Sequence, residues 1–276
     1  MISQDTLSLE ILISTMKRSN LDFLKPMFPK DFGNYNILII NQTEKGQELT
    51  SKYDNIRVIN SYCKGLPQSR NLAIKYAKED VCLIADDDVK YLPDFEKTIQ
   101  DAFKNNKADI ITFKMKDDKG RDFKCYPNIK QHNLKSINSV NSVVISFNRN
   151  KLIEKNIFFN ENFGLGSTFE IANEYVFLRN ALEAKANIIF EPKYILTHKY
   201  ISTGRKQGND KVIYGRSALF YKYHNKLAYL KLFHYLYLIY KTNFITLKEV
   251  PKKIKIGLKG IAKYKELLKT GLEKNK

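Results

Sequence analysis

The chain has no tryptophan and only three cysteines among its 276 residues. The missing tryptophan does not empty the core, because 17 Tyr and 17 Phe supply large apolar groups. Cys63, Cys82 and Cys125 are odd in number and widely spaced, which fits neither a disulfide framework nor a zinc site. Cys82 lies in an apolar run and reads as a core residue, and a reducing cytoplasm is the expected setting. No uncharged stretch approaches the roughly 20 apolar residues that span a bilayer. The first residues, MISQDTLSLEILIS, lack a basic start followed by an apolar stretch, so no signal peptide is expected. Neither an internal repeat nor a low-complexity segment is apparent, although Lys is dense near the end.

What is present points to a folded α/β protein. Hydrophobic residues make up 43% of the chain, enough for a substantial core and too many for disorder. The formal net charge is +18. From Lys241 to Lys276 there are 11 Lys against 3 Glu, so that tail contributes +8 and the remainder still carries +10. Such a balance favours anionic partners: nucleic acid, lipid headgroups or phosphorylated substrates.

Apolar runs at Leu9–Ser14, Tyr35–Ile40, Ile56–Ile59 and Val81–Ala85 read as strands. A turn at Lys64-Gly65-Leu66-Pro67 precedes a helix through Asn71–Lys78, and a second helix is expected over Pro93–Asn105. Further strands are expected at Asp109–Met115, Val140–Phe147 and Asn187–Phe190, the last stopping before Pro192. A Gly-containing loop at 160–168 leads into a helix over Phe169–Ala184. Strands alternating with helices imply a mainly parallel sheet, whose ligands bind beyond the strands' carboxyl ends.

One strand ends in Asp86-Asp87-Asp88. Three adjacent carboxylates repel one another unless a cation offsets them. Mg2+ and Mn2+ prefer oxygen ligands and bridge carboxylates to substrate phosphates. In an extended or turning segment Asp86 and Asp88 point to one side and Asp87 to the other. The first and third are therefore the metal candidates, and Asp87 faces sugar, ribose or solvent. A solvated acidic turn or helix cap is the plain alternative.

The stretch Gly65-Leu66-Pro67-Gln68-Ser69-Arg70-Asn71-Leu72-Ala73, followed after a helix by VCLIADDDV, resembles the family 2 glycosyltransferases. That family's GT-A fold is Rossmann-like and carries a Gly turn, an Arg-Asn helix start, an apolar strand and a DxD motif in this order. The resemblance implies an inverting, usually metal-dependent enzyme that uses nucleotide-diphosphate sugars, with Mn2+ or Mg2+ as cofactor. It implies nucleoside contact near Thr15 in ISTMKR, and base reading at Asn41, where the family often has an acid; UDP is the default donor nucleotide. Arg70 matches the family's Arg, and a guanidinium near a diphosphate is physically sensible.

The resemblance extends to Phe163–Glu170 and to Asn173-Glu174-Tyr175-Val176-Phe177, similar to the family's acceptor loop and acidic motif. Aligned on Phe177, Glu174 takes the catalytic-base position and Asn173 replaces the first acid. A base is needed because the acceptor hydroxyl must lose its proton as it attacks. Glu170 is an alternative base. In LTHKYISTGR, His198 is either a third metal ligand, which imidazole would provide better for Mn2+ than for Mg2+, or a diphosphate contact. Arg205, in a Gly-flanked basic loop, is either a donor-closing residue or simply solvated. The resemblance covers roughly residues 9–205.

Beyond residue 206 the character changes. Ser217–Tyr240 reads as one or two helices, and after Pro251 a basic amphipathic helix carries Ile254, Leu258, Ile261, Tyr264 and Leu268 at helical spacing. This pattern suits an anionic membrane surface or a helix docked on the protein. The organisation expected is therefore a GT-A catalytic domain over 1–206 and a helical extension over 207–276. The function expected is sugar transfer to a glycan or lipid-linked saccharide acceptor in bacterial surface polysaccharide biosynthesis, by a cytoplasmic enzyme peripheral to the inner face of the membrane. Competing readings are a basic nucleic-acid-binding protein, which leaves the three Asp unexplained, and a non-catalytic membrane-associated scaffold with a degenerate transferase fold, which the Asn41 and Asn173 departures keep open.

Overall fold

Continuous apolar runs are buried on both faces, and here they become the centre of an eight-stranded sheet. The strands are β1 (Leu9–Met16), β2 (Asn36–Gln42), β3 (Ile56–Ser61), β4 (Val81–Asp86), β5 (Lys90–Tyr91), β6 (Ile110–Asp117), β7 (Ile145–Asn148) and β8 (Ile188–His198). Their order is β3-β2-β1-β4-β7-β6-β8-β5 in the computed structural model, which describes residues 7–199 and 207–274. β3, β2, β1 and β4 run parallel, as do β6 and β8; β7 is antiparallel to both β4 and β6, and β5 to β8.

Two strands depart from the expected bounds. The strand expected to stop before Pro192 runs on as β8 to His198. Its pairing with β6 passes from Thr112–Phe190 to Lys114–Tyr194, so the proline sits in an irregular stretch where its missing N–H breaks no regular ladder. The strand expected over Val140–Phe147 is shortened to β7, because Ser142–Val144 turns as a 3-10 helix.

The helices α1 (Leu66–Tyr76), α2 (Phe95–Asn105), α3 (Arg149–Glu154) and α4 (Asn173–Glu183) complete the first of two units, which takes residues up to 160 and 173–200. α2 has a clean apolar stripe, with Phe95, Ile99, Ala102 and Phe103 all buried. The helix expected from Phe169 begins instead at Asn173.

The second unit takes residues 161–172 together with 201 onward. The loop expected to belong to the catalytic domain thus packs with the C-terminal helices. Within this unit Phe163 and Phe169 stack at 4.9 Å, and both lie 6.3 Å from Tyr264. α5 (Asp210–His224), α6 (Ala228–Lys241) and α7 (Val250–Lys269) enclose a core that includes Ile213, Leu232, Leu236, Ile239 and Ile261. α7 comes very close to α5: a Cβ on Gly260 would lie 2.1 Å from the Tyr214 carbonyl oxygen. The buried Lys222 ammonium pairs with Glu273 at 3.0 Å. Of the apolar positions expected on α7, Ile261 and Tyr264 are buried inside this unit and Ile254 and Leu268 are partly buried, while Leu258 is exposed.

Candidate active site

The site forms at the carboxyl ends of the parallel strands. Register places Ser14 of β1 beside Asp86 of β4, and Thr15 beside Asn41 of β2. Gly65 shapes the entry to α1. Its φ of 129° is a conformation that favours glycine, and a Cβ there would lie 1.9 Å from the Gln68 side chain. Gln42 clamps the turn, donating to the Gly65 carbonyl at 2.6 Å and accepting from its N–H at 3.0 Å. α1 then starts with Pro in its first turn and delivers Arg70 to the interior.

Arg70 is the hub. It is almost wholly buried, and its guanidinium donates to Asp86 at 2.8 Å, to Ser142 at 3.0 Å and to Asn173 at 2.6 Å. Its face lies over the Phe159 ring at 5.5 Å. Charged hydrogen bonds of this kind are short and directional, and the planar fork fixes two partners at once. It therefore joins the acidic strand end to the first turn of α4.

Glu174 is the second residue of α4. Burial pushes its carboxyl pKa up, and nearby Asp86 adds to the rise. Its own helical N–H, the Arg70 guanidinium and Lys124 oppose the shift. A half-buried carboxylate held more basic than usual, next to an open acidic cluster, is suited to take a proton.

The three aspartates have separate partners. Asp87 accepts from the Thr15 hydroxyl and from two nitrogens of Arg18, at 3.0 and 2.7 Å. Asp86 holds Arg70. Asp88, the most open of the three, lies 3.4 Å from His198 Nε2. The mechanism of that meeting is β5, which pairs Lys90 and Tyr91 with Thr197 and Leu196 and so draws the turn before it toward the end of β8. The His198 contact holds the Asp88 carboxyl below its usual range, and Asp88 in turn raises the imidazole.

Asn41, the expected base reader, makes hydrogen bonds to the protein itself. It is fully buried, accepts from the Arg18 N–H at 3.1 Å, and donates to the Arg18 carbonyl and to Asn60. Its amide fixes the Arg18 backbone. Glu170 belongs to the second unit, where it pairs with Lys211 at 2.7 Å. Arg205 lies outside the described residues.

Two residues of the site went unread in the sequence. Arg18 is visible there only as the last residue of ISTMKR, with no role of its own; its pairing with Asp87 depends on β1 and β4 being neighbours. Lys124 lies in an irregular loop whose placement no periodicity announces. Its ammonium donates to Asn141 at 2.6 Å, and burial lowers its pKa to about 8.

Among the described residues, no three His, Cys, Asp or Glu side chains converge as a closed metal cage. The donors at Asp88 and His198 fit a divalent ion held by few protein ligands and completed by substrate oxygens, the usual style for Mg2+ and close to that of Mn2+.

The sequence-family model described as glycosyl transferase family 2 matches residues 18–176, more than half of the chain. The chain belongs to glycosyl transferase family 2. The matched stretch contains Arg70, the three aspartates and Glu174, while His198 lies beyond it. No curated protein matches the sequence. Among solved structures, S. aureus TarS 1-349 is similar with a TM-score of 0.57 and 14% identity, over 96% of this chain and 92% of that one. The same TarS fragment in complex with UDP-GlcNAc gives 0.59 and 14% identity, over 94% and 83%. Against S. aureus TarS the TM-score is 0.53 at 14% identity, and 94% of this chain aligns with 55% of that one. The family 2 enzyme thus has the GT-A fold its sequence resembles.

Proposed function

We propose that this glycosyltransferase moves a sugar from a nucleotide-diphosphate sugar, with UDP as the nucleotide, to a hydroxyl of a glycan or lipid-linked saccharide, with inversion at the anomeric carbon. The observation that carries the proposal is the Arg70 bridge, which holds Asp86 and the first turn of α4 together and so keeps Glu174 beside the acidic strand end. The UDP-GlcNAc bound to TarS supports the choice of nucleotide.

Glu174 accepts the proton of the acceptor hydroxyl. The acceptor oxygen forms its bond to the anomeric carbon as the bond to the diphosphate oxygen breaks, and the nucleoside diphosphate leaves with that electron pair. Thr15, Arg18 and Asp87 hold the nucleoside side of the donor, with Asn41 positioning the Arg18 backbone. Arg70 fixes Asp86 and screens charge near the diphosphate. Mn2+ or Mg2+, held by Asp88 and His198 with Asp86 alongside, would supply neutralisation of the departing diphosphate. Arg205 is proposed as a further donor contact. The biological setting proposed is bacterial surface polysaccharide synthesis at the cytoplasmic face of the membrane.

The test is release of free nucleotide from a panel of sugar nucleotides with Mn2+ or Mg2+, run on wild type and Asp88→Ala. Metal-stimulated release from one donor, reduced at least about 100-fold by the substitution, supports the proposal. Release from none of the donors, or release that Asp88→Ala leaves unchanged, overturns it.

A further inference from the structure

α6 has two apolar faces, and only one is used inside the protein. Leu232, Tyr235, Leu236 and Ile239 are buried in the second unit's core. On the opposite side Leu230 is 68% exposed, Phe233 50% and Tyr237 57%, at the three- and four-residue spacing of a single helical stripe. Leu227 precedes the stripe, and Phe244 and Leu247 continue it past the end of the helix, all of them exposed. Single exposed apolar residues are ordinary, but an apolar stripe along one helix face suits a contact surface.

The charge around the patch is of one sign. Residues 225–258 contain seven Lys and a single acid, Glu249, whose carboxylate is occupied in a capping box with Thr246. Lys226 and Lys241 flank α6, and Lys248 and Lys255 follow; among the described residues none of these four has an ion pair. Lys252 does, with Asp210 at 3.3 Å.

We infer that this face of α6, with the segment that follows it, docks on an anionic lipid bilayer. The apolar stripe enters the interfacial region while the flanking lysines meet the headgroups, the arrangement of a helix lying in the membrane plane. Aromatic residues such as Phe233 and Tyr237 suit that boundary. No described helix is long and apolar enough to cross a membrane, so the contact is with its surface. A second copy of the chain is a poorer occupant, because a two-fold interface would set the same cations against themselves. The inference goes beyond the chemistry proposed for the first unit and does not depend on the donor or acceptor.

The test is co-sedimentation of the full chain with vesicles of phosphatidylcholine, alone or containing phosphatidylglycerol, with nucleotide release measured on the same preparations. Binding to the anionic vesicles is expected to be at least about ten-fold stronger, and to weaken as salt shortens the screening length. The triple substitution Leu230→Ser, Phe233→Ser and Tyr237→Ser is expected to reduce binding about ten-fold with little change in melting temperature, since none of these side chains belongs to the unit's buried core. Equal binding to neutral vesicles, or anionic binding that survives the triple substitution, overturns the inference. So does a dimer in light scattering that the same substitutions dissociate, which would assign the face to a second copy. Absence of nucleotide release, with vesicle binding intact, counts against the proposed chemistry alone.

Discussion

Arg70 and Asn173 meet at 2.6 Å although 103 positions separate them in the sequence. The same guanidinium reaches Asp86 at 2.8 Å, so the acidic strand end and the helix bearing Glu174 are indexed to one side chain. Arg70→Lys keeps the charge but loses the planar fork, and one ammonium cannot reproduce both bonds in that geometry. We expect kcat/KM for donor to fall about 100-fold or more in Arg70→Lys, with the circular dichroism spectrum preserved. Wild-type kinetics in the variant would show that the bridge is not required for turnover.

The raised pKa of Glu174 yields two linked expectations. The proposed base works only when ionised, so kcat/KM is expected to rise with pH, with an acid limb above the usual glutamate range. Lys124 opposes the shift; its replacement by Met moves the limb further up in pH. For stability the sign is reversed. The folded state holds this proton more tightly than the unfolded chain, so the stabilisation present at low pH is lost as pH rises through the raised value. Glu174→Gln is therefore expected to melt above wild type at neutral pH, with the gap closing in acid, while turnover drops by about 10^2–10^4. Thermal melts across pH, paired with rate profiles, check both.

The three aspartates are expected to separate in kinetics. Asp87 is tied to Thr15 and Arg18, and Asp88 to His198. Asp87→Asn is expected to raise KM for the sugar nucleotide most. Asp88→Asn and His198→Ala are expected to raise the concentration of Mn2+ needed for half-maximal turnover. Metal titrations at fixed donor, and donor titrations at saturating metal, distinguish the two effects. Identical profiles for Asp87 and Asp88 variants would contradict the division.

The core strands were legible because burial on both faces demands unbroken apolar runs, and Leu9–Ser14 and Val81–Ala85 are such runs. Asp86–Asp88 was legible for the same reason, since charge directly after a buried strand marks its end. The passage of β8 through Pro192 was not, because proline reads locally as a stop and only pairing with β6 reveals the irregular register that tolerates it. Asn41 stands where the family often has an acid, but its enclosure by Arg18 and Asn60 is a tertiary fact. Lys124 carries no local signal at all: its depressed pKa comes from burial by residues distant in sequence. The amphipathic pattern of α7 is legible in the sequence, yet amphipathicity does not say which of its apolar positions are covered or by what.

Close packing of α7 against α5 gives a stability prediction. Gly260→Ala would bring a methyl group against the Tyr214 carbonyl, a backbone atom that cannot rotate away. Overpacking of this kind costs about 1–3 kcal/mol. Urea denaturation of the full chain is expected to show that loss, and Gly120→Ala, at a turn with open space around its Cβ but a φ of 79°, serves as a comparison for backbone strain without a clash.

Residues 161–172 belong with the C-terminal helices, yet they are encoded between two stretches of the first unit. The two units are thus interleaved along the gene, and no single cut separates them. A truncation at residue 206 would retain Phe163 and Phe169 but remove Tyr264, leaving two core rings without the side chain they pack on. Exchange of the helical unit between related enzymes would have to carry both segments together, because recombination at one boundary parts Phe163 and Phe169 from Tyr264.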